Sequence, residues 1–219
     1  MKSRRPFPFG HRPCLLALAA LLAASGPVAR AFTVGIAPGT RAVYLQVGTG
    51  TMTGGTFNSG GVPGTNTSVN TVSVNVPAAA LGSGTPLLMT TNSTVTASAW
   101  NGFAFCNTPA TTGQVYIGGF YRVPGTTGAA ATLTVSTPFP LADGKGDTIP
   151  FSSIAWTSSG NGDATPTIPS GGFSGGSQNL LSITRNTWFE SCMAFRYLNT
   201  QVVPAGLFKG QAIFTLTAP

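Results

Sequence analysis

The sequence predicts an all-β fold: a single immunoglobulin-like or jelly-roll-like antiparallel β-sandwich. Three observations predict it. Charged residues make up only 7% of the chain, so the Glu, Lys, Gln and Arg that fill exposed helical positions are missing. Short runs alternate apolar and polar residues with period two, separated by clusters of Gly, Pro, Asn and Ser. About nine or ten such runs follow one another at the spacing expected of a sandwich.

The run 41–47 places Val43, Leu45 and Val47 on one face. Val72, Val74 and Val76 face away from Ser73 and Asn75. Residues 93–105 read as a long central strand, with Val95, Ala97 and Ala99 opposing Thr94, Thr96 and Ser98. Residues 114–123 are apolar and aromatic, and Gly118-Gly119 within them predicts a bulge or bend. Ala131, Leu133 and Val135 alternate with Thr132, Thr134 and Ser136, and runs at 149–156, 180–184, 187–198 and 210–216 complete the set. Three stretches read as loops. Residues 48–66 and 157–178 are rich in Gly, Ser, Thr and Pro, and 142–148 carries Asp143-Gly144 and Gly146-Asp147, a turn signal.

Charge location matters more than net charge. The chain carries +7, but Lys2, Arg4, Arg5, Arg12 and Arg30 all lie in the first 31 residues, which contain no acid. The basic stretch precedes the apolar run 15–24, too short to span a bilayer of ~30 Å as a helix. Small residues follow, ending in Ala29-Arg30-Ala31, so residues 1–31 read as a secretory signal cleaved before Phe32. Ser3-Arg4-Arg5-Pro6-Phe7 is similar to a twin-arginine signal. An uncleaved anchor is the competing reading. Residues 32–219 are then one weakly charged domain, and the expected location is the periplasm, the cell surface or the extracellular space. The leader's positive charge gives no ground for a nucleic-acid partner. No later stretch is long and apolar enough to read as a transmembrane helix.

Removing the leader removes His11, the single histidine. Residues 32–219 therefore cannot build a Ser-His-Asp or Cys-His arrangement, nor a His-liganded metal site. Cys106 and Cys192 are too few for a thiolate cluster. In an exported chain they read as one disulfide, closing a loop of roughly 87 residues that the chain-entropy account values at about 4 kcal/mol. Two free buried thiols are the alternative.

Asp143 and Asp147, with Asp163, offer oxygen ligands to calcium, but their spacing lacks the bidentate acid of an EF-hand loop, and Asp-Gly is itself a turn signal. Glu190 paired with one of these acids would suit a glycosidase; beside Arg185 and Arg196 it reads instead as part of a structural ion pair. Lys145 and Lys209 have no dyad motif around them. Neither a catalytic residue nor a cofactor is expected. Trp100, Trp156, Trp188, Phe103, Phe105, Phe120, Tyr121, Phe189, Phe195 and Tyr197 could stack on carbohydrate, although a sandwich core also needs large aromatics. Asn66-Thr67-Ser68 and Asn92-Ser93-Thr94 match the glycosylation acceptor pattern.

The last run alternates cleanly, with Ala212, Phe214 and Leu216 on one face, and Gly206 lies fourteenth from the end. With the leader and the Gly/Thr-rich texture, this segment resembles pilus subunits of the chaperone–usher class, including the spore-coat-U-like group. A likeness to exported proteobacterial proteins supplies no activity. The pilus resemblance implies an incomplete sandwich whose missing strand is donated first by a periplasmic chaperone and then by a neighbouring subunit, with Phe32, Val34 and Ile36 as the donor segment. The chain departs from that pattern at Ala218, where an aromatic is usual, and in having both cysteines late. The expected function is an exported, non-enzymatic structural or adhesive subunit; the alternative is a monomeric secreted binding module for carbohydrate.

Overall fold

The computed structural model describes residues 35–49, 52–53, 62–63, 69–106, 113–162 and 167–219. The leader, Phe32, Val34, the Asn66 acceptor and Asp163 lie outside the described residues. In chain order the strands are β1 (Ala42–Val47), β2 (Met52–Thr53), β3 (Val62–Pro63), β4 (Val72–Ser73), β5 (Leu87–Leu88) and β6 (Thr90–Thr91). They continue as β7 (Gln114–Arg122), β8 (Ala131–Thr137), β9 (Leu141–Ala142), β10 (Thr148–Ile149) and β11 (Ile154–Ser159). The last four are β12 (Gly171–Gly172), β13 (Gly176–Ile183), β14 (Thr187–Tyr197) and β15 (Ile213–Thr217). The fold is all-β, with antiparallel sheets packed together.

The main sheet runs β1-β7-β14-β11-β12, with β5 paired to the far end of β14. The second runs β13-β8-β15. Between them lies the larger core: Val115, Ile117, Phe189, Met193 and Phe195 from the main sheet meet Leu133, Val135 and Ile183 from the second. The alternation in β8 is clean, Ala131, Leu133, Val135 and Thr137 being buried between half-buried neighbours. This is the pattern of a strand with one covered face.

The centre of the main sheet obeys a different rule. In β7 every residue after Gln114 is buried, and in β14 every residue except Arg196. Both faces are covered. On the face away from the second sheet, Tyr44, Tyr116, Phe120, Trp188 and Cys192 form a second cluster with Ile36 and Cys106, roofed by Val95, Trp100 and Phe105. Tyr44, Phe120 and Trp188 pack ring against ring, with centroids about 6 Å apart.

The roof replaces the long central strand expected over 93–105. Only the bridge Ala97–Ala104 is strand-like there. Ser98 Oγ accepts the Trp100 and Asn101 amides, Gly102 sits at φ 75°, and the chain turns back at Asn101-Gly102. Its apolar residues cover the sheet instead of pairing within it. The Cys106–Cys192 disulfide fastens the roof to β14.

Gly118-Gly119 makes no bulge. The register with β1 is continuous from Ala42–Arg122 to Val47–Ile117, and with β14 from Thr187–Tyr121 to Ser191–Ile117. The glycines are required by close approach. A Cβ on Gly118 would collide with the Tyr116 hydroxyl, and one on Gly119 with the Tyr44 carbonyl oxygen and the Phe189 ring. The first gap lets Tyr116 reach Glu190 on the neighbouring strand; the second lets Phe189 lie flat on β7.

Two further expectations change. Tyr44 and Gln46 are the most buried residues of β1, while Leu45 and Val47 are half-buried against the inter-sheet core and Val43 is exposed. The stretch 157–178 is not one long loop: β11 extends into it, β12 lies within it, and Ile168 and Phe173 plug the core.

If Gly119 is demanded by packing, Gly119→Ala should lose about 1–3 kcal/mol in urea unfolding. Unchanged stability would show that the position is only a bend.

Candidate functional site

Sheet edges are where a sandwich is vulnerable to pairing with another chain, and natural edges are shortened, charged, bulged or broken by proline. The edges of this molecule are not protected equally. β12 is two glycines long. β13 carries a register shift between Asn179 and Leu181. By contrast β15 pairs with β8 in continuous register from Ile213–Ser136 to Thr217–Thr132, without charge, proline or bulge. Among the described residues β8 is its only strand partner. β1, the edge of the main sheet, is similarly plain, and the two edges come within 8 Å of each other on one flank. Arg41 ties them at one end by donating from Nη1 to the Pro219 carbonyl at 2.7 Å.

Toward the other end of β15 the flank opens into a cleft of about 400 Å³. Its depth is formed by core residues, among them Met89, Val115, Phe151, Phe173 and Phe195. Its rim is Val47, Val69, Asn70 and Val72 on one side and Gln211, Ala212 and Ile213 on the other. Among the described residues no charged side chain lines it. Val69 is 79% exposed and Ile213 43%, so apolar surface continues from the cleft onto the rim. The Asn70 side chain fixes that rim: Oδ1 accepts the Thr49 amide at 2.6 Å, and Nδ2 donates to Asn92 Oδ1.

The expected assembly strand lies at this site. Ala212, Phe214 and Leu216 are half-buried toward the inter-sheet core, while Ile213, Thr215 and Thr217 face outward. Upstream, Lys209 and Ala142 exchange two backbone hydrogen bonds of 2.9 Å, and Gly206 passes close to the Asp143 side chain. Of the expected donor segment only Ile36 is described. It is 3% exposed within its own domain, and its amide donates to Asn186 O at 2.8 Å.

The remaining candidates are scattered. Asp143 Oδ1 accepts the amides of Lys145 at 2.7 Å and Asp147 at 3.1 Å, closing the turn between β9 and β10. Among the described residues no group of three His, Cys, Asp or Glu could hold a metal. Lys145 and Lys209 are exposed and Trp156, Trp188, Phe120, Tyr121, Phe189, Phe195 and Tyr197 buried; among the aromatics proposed for stacking, Phe103 is exposed, at 56%. Among the described residues no helix is long and apolar enough to cross a membrane.

Glu190 is fully buried on the outer face of the main sheet. Tyr116 Oη donates to its Oε2 at 2.9 Å, and Asn161 Nδ2 donates to Oε1. Arg185, one of the expected ion-pair partners, donates instead to the Gly128 carbonyl, and Arg196 is exposed. The Ala99 amide donates to the Tyr116 hydroxyl, so this polar group also anchors the roof. A buried carboxylate needs such donors because it has lost water.

The sequence did not point to the cleft, because its walls come from segments far apart: Asn70, Met89, Phe151 and Phe173. The last strand, expected over 210–216, starts at Ile213. No protein-family model, curated protein or solved structure matches the chain.

Burial pushes the Tyr44 pKa up to about 12. Burial, reinforced by the Glu190 charge, raises that of Tyr116 as well. Both groups titrate near ~10 when unfolded. The protein should keep full stability below that pH and lose it as pH rises toward the folded values, by up to about 1.4 kcal/mol per pH unit for each tyrosine. Urea midpoints measured from neutral to strongly alkaline pH should show this decline. Tyr116→Phe should make it shallower; an unchanged slope would remove Tyr116 from the account.

Proposed function

We propose that this protein is an exported, non-enzymatic structural or adhesive cell-surface subunit of pilin-like kind, joined to a neighbour by β-strand addition at its open flank. One observation carries the proposal: among the described residues, two sheet edges without charge, proline or bulge, β1 and β15, lie together beside a cleft that reaches the inter-sheet core and is lined by no charged side chain. An added strand would pair its main chain with an edge and set alternate side chains into the cleft. That is how β-augmentation divides affinity from specificity. The leader-like residues 1–31 and the Cys106–Cys192 disulfide favour an oxidising compartment beyond the cytoplasm. A periplasmic chaperone holding the flank before assembly belongs to the same proposal. The carbohydrate-binding alternative has less support, because most of the aromatics it would use are buried.

The proposal can be tested by giving the protein a strand in cis. A short alternating Ile/Thr segment, joined to Pro219 by a flexible linker, should raise the melting temperature by several degrees. Replacing its Ile residues with Asp should abolish the gain. No gain from the Ile form, in a protein that is otherwise folded, would contradict strand addition.

A further inference from the structure

We propose that Asn161-Gly162 is a self-modification site. The Asn161 carboxamide converts to a carboxylate, and the charge so created breaks the buried polar group that anchors the roof over the main sheet.

The sheet places this dipeptide. β11 ends at Ser159, paired with Cys192 of β14, and the same antiparallel register brings Asn161 level with Glu190. Asn161 is half-buried there and its Nδ2 donates to Glu190 Oε1, while Gly162 is exposed. Gly162 sits at φ 94°, and the space beside it is open.

An asparagine carboxamide is open to attack by the backbone nitrogen of the next residue, most readily when that residue is glycine and has no side chain to obstruct ring closure. The bond from Gly162 N to Asn161 Cγ forms as the Cγ–Nδ2 bond breaks. Nδ2 leaves as ammonia, taking up the Gly162 amide proton. Water then opens the succinimide to aspartate or isoaspartate. Water is the one co-reactant.

Asn-Gly occurs twice in the chain, and the two sites differ in what holds the attacking nitrogen. At Asn101-Gly102 the Gly102 amide donates to Ser98 O at 2.9 Å, and Asn101 Oδ1 accepts the Phe103 amide at 2.9 Å. A nitrogen tied in that way must give up a hydrogen bond before it attacks. The Gly162 amide pairs with no described backbone carbonyl.

The consequence follows from Glu190, which is fully buried and accepts from Tyr116 Oη and Asn161 Nδ2. Conversion replaces the second donor with an acceptor and sets a second negative charge beside a carboxylate held out of water. Tyr116 Oη also receives the Ala99 amide, so a displaced Glu190 disturbs the roof. Beneath that roof lie Phe120 and Trp188.

The test follows the purified, oxidised protein through incubation in mildly alkaline buffer. Peptide mapping by mass spectrometry should find aspartate and isoaspartate at position 161 well before position 101. The urea midpoint should fall, and tryptophan quenching by acrylamide should rise, in proportion to conversion at 161. Asn161→Asp should show both changes without incubation. Adding Glu190→Gln, which again sets an amide opposite a carboxylate, should reverse them. Should Asn161→Asp alone not fold, Asn161→Gln, whose longer side chain closes the ring slowly, should hold its midpoint through the incubation that lowers that of the wild type. Conversion at 101 with none at 161 would overturn the site. Conversion at 161 that leaves midpoint and quenching unchanged, or an Asn161→Asp protein indistinguishable from wild type, would overturn its coupling to the roof.

Discussion

The structure depends on the burial of the β7–β14 pair on both faces. A sheet strand in a simple sandwich has one face in the core and one in water, but here Ile117 and Phe189 face one hydrophobic cluster while Tyr116 and Trp188 face another. Covering the second face requires a roof, and residues 93–106 supply it. That roof has too little regular structure to hold itself in place, so it is fastened by the disulfide and by the Ala99 amide on Tyr116. The two glycines follow from the same constraint. With side chains crowding both faces, Gly118 and Gly119 open the space through which Tyr116 reaches Glu190 and Phe189 meets β7.

Much of the architecture was legible in the sequence, for physical reasons. Scarcity of Lys and Glu excluded exposed helices, and alternation located β8 to within a residue and β15 to within three. The residues that misled are those where one periodic pattern serves two purposes. Val95, Ala97 and Ala99 alternate as a strand would, yet they belong to a roof that turns at Asn101-Gly102. Gly118-Gly119 resembles a bulge, but only its three-dimensional neighbours distinguish a bulge from close packing. The apolar and aromatic character of 115–121, interrupted only by Gly118-Gly119, was the signal for two covered faces.

The candidate site was half legible. The last strand stood out as Ala212, Phe214 and Leu216, and among the described residues it pairs with β8 alone. The cleft beside it could not be read, since Met89, Phe151 and Phe173 meet only after the sheets pack. Nor could the position of Ile36, whose alternation with Phe32 and Val34 looks the same whether it serves a neighbour or its own domain. Its burial against Tyr44 and Trp188 places it within its own domain.

The central proposal is that the edge of β15 receives a partner strand. Residue-resolved amide exchange tests it most directly, with β8, central in the same sheet, as internal reference. In the isolated oxidised protein, outward-facing amides of β15 should exchange far faster than those of β8, and an added Ile/Thr strand should slow them to comparable rates. β15 amides as slow as those of β8 in the isolated protein, unchanged by any added strand, would contradict the account.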